Sequence, residues 1–122
     1  MHGGRLIAAG FSALLILSAT PALAAYGAFA HDEATGRYGF SWNQETQHHA
    51  DEVAIKGCNS PGCKVVFRTG PRECGAIALS ANGKAWGGAK RQKRDVAELA
   101  AMENCQKHTH GQCRVKGSEC NH

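Results

Sequence analysis

The sequence predicts an α+β fold in which two pseudo-repeats of a strand-strand-helix-strand unit pack into one small disulfide-stapled domain. Three observations carry that prediction. The first is an internal echo: "CGAIALSANG" from Cys74 follows the plan of "YGAFAHDEATG" from Tyr26, and Gly27, Ala28, Phe29 and Ala30 align with Gly75, Ala76, Ile77 and Ala78. The second is a change of period within each half, from two-residue spacing of aromatics to three- and four-residue spacing of small residues. The third is the cysteine pattern, in which Cys58 and Cys63 recur as Cys105 and Cys113 in the same order and context.

The N-terminus belongs to targeting before it belongs to the fold. Arg5 gives a positive start, residues 6–17 are apolar apart from Gly10 and Ser12, and Ala22 and Ala24 flank Leu23 as small residues at a cleavage site. Residues 1–24 are therefore expected to be a signal peptide cut before Ala25. The apolar run is shorter than the roughly 18 residues of a membrane span, so the expectation is a secreted or periplasmic protein and not an integral membrane one. Residues 25–122 then make a single duplicated domain, with repeat one about 26–70 and repeat two about 74–120.

Each repeat opens on a short strand, with Phe29 or Ile77 among alanines, followed by a turn holding Gly36 or Gly83, where a positive φ is available. In the second strand of repeat one, "YGFSW" sets Tyr38, Phe40 and Trp42 on one face, expected to be core. Its counterpart "KAWGG" keeps only Trp86, so the halves are unequally filled. Two helices follow from the stripes Ala50, Val53, Ala54, Cys58 and Ala97, Ala100, Ala101, Cys105. Small side chains on that stripe let a helix lie close on a sheet. A third strand begins near Cys63 and near Cys113.

Six cysteines in a small exported chain point to three disulfides, because the compartment is oxidising and the core is limited. Zinc is the competing chemistry, but four and seven intervening residues in the two local pairs do not match zinc knuckles. Six cysteines permit 15 connectivities. Pseudo-symmetry selects Cys58–Cys63 and Cys105–Cys113, each tying a helix end to the next strand. It leaves Cys74 and Cys120, each taken to follow the last strand of a copy, to join the two copies.

The order "YGAFA", "YGFSW", an A-x-x-x-A-x-x-x-C helix and "CKVVF", then "CGAIA", "GKAWG", a second such helix and "CRV", resembles the bacterial domain of unknown function 4189. The likeness runs from Tyr26 to about Cys120. It implies an exported bacterial α+β protein and carries no established activity. The resemblance also implies serine or threonine leading into each helix; Thr46 fits in repeat one, whereas Lys93 takes that place in repeat two.

The formal net charge is +4, and loss of Arg5 with the leader lowers it by one. That mild excess disfavours nucleic acid as the main partner, although a local patch remains compatible with it. The most distinctive chemistry is "KRQKR" at residues 90–94, whose Lys90, Arg91, Lys93 and Arg94 stand where a helix N-terminus disfavours cations. They are the candidate binding residues, for an acidic protein or an anionic surface. Asp95 is expected to be the N-cap of that helix, with Glu98 completing a capping box.

No catalytic constellation or cofactor motif emerges. His48 and His49 diverge by about 100° on a helix, His108 and His110 share a polar loop, and His31 and His122 stand apart. The adjacent acids Asp32 with Glu33 and Asp51 with Glu52 do not form an acid–base pair, and no metal site is expected. The reading is therefore a non-enzymatic exported binding or effector-like module. The alternatives are a secreted hydrolase acting on nucleic acid or cell-wall polymer, and a structural envelope protein. Dimerisation through an exposed strand edge is compatible with the pattern.

Overall fold

The computed structural model describes residues 25–122; the signal-peptide expectation for residues 1–24 lies outside the described residues. The first half runs β1 (Tyr26–His31), β2 (Tyr38–Gln44), α1 (Gln47–Cys58) and β3 (Lys64–Thr69). The second runs β4 (Cys74–Ser80), β5 (Trp86–Arg91), α2 (Arg94–Gln106) and β6 (Cys113–Cys120). Each half makes an antiparallel three-stranded sheet with its first strand in the middle, in the orders β2-β1-β3 and β5-β4-β6. The two pseudo-repeats thus share one topology.

Alternation along the strands decides what each sheet face meets. Ala28 and Ala30 of β1 pack against Ala50, Ala54 and Cys58 of α1, and Ala76 and Ala78 of β4 pack against Ala97, Ala101 and Cys105 of α2. Side chains this small bring helix and sheet together closely. At Gly39 and Gly87, equivalent positions in the two halves, a Cβ would collide with the backbone of the covering helix. The recurring aromatic-glycine dipeptides Tyr38-Gly39 and Trp86-Gly87 mark these approaches.

The opposite faces of the two sheets pack on each other, so the order of layers is helix, sheet, sheet, helix. The first sheet supplies rings and the second supplies room for them: Phe29 lies against Gly75, Phe67 against Gly88 and Phe40 against Gly117. Trp42, Phe40, Phe29, Phe67 and Trp86 form a continuous ladder, with neighbouring ring centroids 5.4, 5.7, 4.4 and 6.2 Å apart. The "YGFSW" face is therefore core only in part. Phe40 lies within the ladder, whereas Trp42 stands at its end and is 39% exposed, with Phe40 on one side and solvent on the other.

Three disulfides staple the domain: Cys58–Cys63, Cys105–Cys113 and Cys74–Cys120. The first two tie each helix end to the strand that follows it. The third has a different role from the one pseudo-symmetry suggests. Cys74 opens β4 and is the register partner of Cys120 at the end of β6, so the bond closes the second sheet and does not join the two halves.

The halves are joined instead by the ring ladder and by hydrogen bonds at both ends of the sandwich. Buried Asn121 donates from Nδ2 to Thr69 Oγ1 and to the Gly70 carbonyl, both at 2.9 Å, and its Oδ1 accepts from the Asn43 amide at 2.8 Å. At the other end, His31 Nε2 lies 2.6 Å from the Gly83 carbonyl oxygen. Gly36 and Gly83, both at positive φ (80° and 75°), bring the two hairpin turns into contact there.

Candidate binding cleft

The stacking of Phe67 on Gly88 places edge strands β3 and β5 on the same side of the sandwich, and a cleft of about 1100 Å³ lies along that side. Seven consecutive residues, 84–90, form one wall, and Phe67 and Arg68 of β3 contribute the other. Glu33, in the turn after β1, and Ser80 and Asn82, at the end of β4 and in the turn after it, line one end. Asn104, His108 and Thr109 line the same end from the last turn of α2 and the loop after it, because Cys105 lies against Ala85 and its disulfide partner Cys113 pairs in register with Ser80; Lys90 lies toward the other end.

Phe67 and Trp86 meet in this cleft with parallel planes, 1° apart in orientation, and centroids 6.2 Å apart. At that separation parallel rings are offset, so each leaves part of a face uncovered. Four charged residues line the walls: Glu33, Arg68, Lys84 and Lys90. The counter-ions of two cations lie outside the lining. Arg68 makes a two-pronged bond to Asp51 of α1, with its shortest contact 2.9 Å, and Lys90 lies 3.9 Å from Glu73. The Arg68 guanidinium holds the Asp51 carboxyl below the ordinary carboxylate range, and Asp51 in turn raises Arg68.

The backbone edge of β5 is partly covered. Asn104 Nδ2 donates to the Gly88 carbonyl at 2.8 Å, and Arg91 Nη1 donates to the Lys90 carbonyl at 2.7 Å. Side chains that occupy edge acceptors in this way leave less for an added strand to bind.

The basic run at residues 90–94 divides in the structure. Lys90 lines the cleft, and Arg91 and Lys93 are exposed beyond it. Arg94 is committed to the fold: its Nε donates to Ser118 Oγ at 2.9 Å and its Nη2 to the Ser118 carbonyl at 2.8 Å, with Glu98 and Glu119 within 4 Å. The expected N-cap is also displaced. Because β5 pairs with β4 as far as Arg91, the chain turns at once and α2 begins at Arg94, with Lys93 as an N-cap that makes no side-chain bond. Asp95 falls inside the first turn, and Glu98 accepts from Ser118 Oγ and closes no capping box.

The remaining polar candidates do not converge. His48 and His49 both reach Glu52 on the exposed side of α1, at 3.4 and 3.8 Å. His108 lines the cleft, while His31 is fully buried between the sheets. Asp32 is buried and accepts from Ser60 Oγ and from the Ala34 amide at 2.9 Å; the Ser60 bond is the main reason that its carboxyl lies below the ordinary range. Among the described residues, no group of three or more His, Cys, Asp or Glu could hold a metal ion. Among the same residues, no helix is long and apolar enough to cross a membrane.

Of the four candidate binding residues in the basic run, Lys90 is the one that lines the cleft. The available signal was "KAWGGAK", an aromatic and two glycines between lysines on a strand. Nothing local in the sequence indicates that Phe67 and Arg68 face it.

The sequence matches the profile of the Domain of unknown function (DUF4189) over residues 26–120. It is 37% identical to the uncharacterized protein Rv1813c of Mycobacterium tuberculosis over 82 residues, which is 67% of this chain and 54% of that protein. Protein Rv1269c of the same species is 40% identical over 63 residues, covering 52% of this chain and 47% of its own. The chain thus spans about half the length of the curated relatives it matches. An NMR structure of Rv1813c from M. tuberculosis is similar in fold, with a TM-score of 0.58 and 25% identity over 98% of this chain and 97% of that one.

Proposed function

This chain belongs to the DUF4189 family, and from that premise we propose that it is an exported, non-enzymatic binding module whose ligand surface is the cleft between β3 and β5. The observation that carries this reading is the meeting of two offset aromatic rings with Lys84 and Lys90 in an open concavity. Concave sites that combine aromatic surface with a few placed polar groups are where small ligands and polymer segments bind. Export is supported by the leader-like pattern of residues 1–24, a positive start, an apolar run and small residues before Ala25, and by three disulfides, which persist in oxidising compartments. Arg91 and Lys93 extend the cationic surface past the Lys90 end of the cleft, and Arg94 serves the fold.

Two double variants test the reading on immobilised protein challenged with acidic and neutral polysaccharides, anionic vesicles and single-stranded RNA. Lys84→Gln with Lys90→Gln is expected to lose most of the retention of the class that wild type holds. Arg91→Gln with Lys93→Gln is expected to lose less, and all variants should melt with wild type because these side chains are exposed or lightly paired. Equal retention by wild type and the Lys84/Lys90 variant would refute the cleft as the site.

A further inference from the structure

We propose that the cleft takes a segment of neutral glycan, a short run of uncharged sugar units; this rests on the cleft being the binding site. Every cation on its walls is answered by an acid: Arg68 is held in two prongs by Asp51, Lys90 lies 3.9 Å from Glu73, and Lys84 shares the lining with Glu33. The charges cancel, and a polyanion would have to compete with acids already in place. Balanced in this way, Lys84 and Lys90 act as placed hydrogen-bond donors. The aromatic surface then sets the shape of the ligand. Phe67 has one face on Phe29, at 4.4 Å, and Trp86 follows it in the ladder. A third ring held between Phe67 and Trp86 needs about 7 Å, twice the roughly 3.5 Å contact distance, and their centroids are 6.2 Å apart. The two rings therefore form one stepped surface and not a slot. Such a surface suits the C–H face of a sugar ring, whose weakly positive hydrogens meet the negative face of an aromatic.

The polar lining gathers where the indole stands. Trp86 is the register partner of Leu79, so it lies at the same end as Ser80, Asn82, Asn104, His108 and Thr109. Asn82 Oδ1 is occupied by Ser80 Oγ and the Lys84 amide, and Thr109 Oγ1 accepts from the Gly111 amide. The Asn82 amide protons and the Thr109 hydroxyl proton are thus left for hydroxyl groups at the rim of a ring laid on Trp86. An aliphatic ligand would bury those groups without partners. A peptide would dock best by adding a strand to β5. Asn104 and Arg91 already occupy the Gly88 and Lys90 carbonyls on that edge, which removes two of the acceptors such a strand needs.

The test uses the full domain with Trp42→Phe, so that Trp86 is the one indole of the described residues, and follows its emission and the heat of binding. The neutral probes are cellotriose, maltotriose and N-acetylchitotriose; the charged ones are trigalacturonate, hexaglutamate and a single-stranded oligonucleotide. At least one neutral trisaccharide is expected to saturate the Trp86 signal at millimolar concentration or below, ahead of every charged probe. Its affinity should hold within about twofold between about 0.05 M and about 0.5 M salt. Asn82→Asp keeps the two bonds accepted at Oδ1 and loses the amide donors, and it should weaken that sugar about fivefold at an unchanged melting temperature. If a charged probe binds more tightly, and both high salt and Lys84→Gln with Lys90→Gln release it, the neutral-glycan assignment fails while the cleft stands as the site. If a neutral trisaccharide binds with no change in Trp86 or no response to Asn82→Asp, the cleft reading fails as well. Absence of saturable binding by all three neutral sugars overturns the proposal.

Discussion

Gly88 and Gly117 occupy positions where the other half carries Phe40 and Phe67, and each lies under the ring contributed by that other half. Exchanges of this kind explain how one repeat can pack on another without a twofold excess of large side chains. The alanine stripes and turn glycines were legible in the sequence because their spacing alone sets the face or the backbone shape that they serve. Asn121 was not legible, since its partners Asn43, Thr69 and Gly70 lie in the other half of the chain or just after it. At the same scale, Asp32 and Asp51 hold their protons less tightly folded than unfolded. Their stabilisation is complete above the ordinary carboxylate range near about 4 and is lost as pH falls through the lowered folded values. The urea midpoint should therefore be level above about pH 5 and drop as pH falls below about 4 and through the lowered folded values. Asp51→Asn should cost about 1 kcal/mol at neutral pH, because the Arg68 bond is partly solvated, and should flatten part of that drop. A variant with the wild-type pH dependence would contradict the role given to this pair.

The helices show what an element-level reading captures and where it stops. Their existence and buried faces follow from the Ala-Ala-Cys spacing. The starts depend on where the preceding strand ends. Thr46 precedes α1 and its Oγ1 accepts the His49 amide at 3.0 Å, as the capping preference leads one to expect. Before α2 the pairing of β5 continues to Arg91, so the cap falls on Lys93 before any residue with a short acceptor side chain is reached. Thr46→Ala should cost about 1 kcal/mol, whereas Lys93→Ser should stabilise by about 0.5–1 kcal/mol by capping exposed amides and removing a cation from the positive end of the helix. Urea unfolding measures both, and a Lys93→Ser variant no more stable than wild type would count against the uncapped start of α2.

Across the whole molecule, the duplicated topology was readable because each half repeats its own local pattern. Cross-half relationships were not, because no local pattern records which faces meet. The placement of Cys74–Cys120 within one sheet illustrates this: the cysteines were visible, but their shared strand register was not. The cleft is the same kind of feature, assembled from Glu33, residues 67–68, the β4–β5 hairpin and the end of α2. Its position also separates two accounts of binding, one along β3 and β5 and one at the basic start of α2. The most direct measurement is an amide chemical-shift map of the isotope-labelled domain titrated in turn with short acidic and neutral oligosaccharides and a single-stranded oligonucleotide. Binding in the cleft predicts shifts confined to Glu33, residues 67–68, 80–90 and 104–109. Shifts centred on residues 91–95, or none at millimolar ligand, would contradict it.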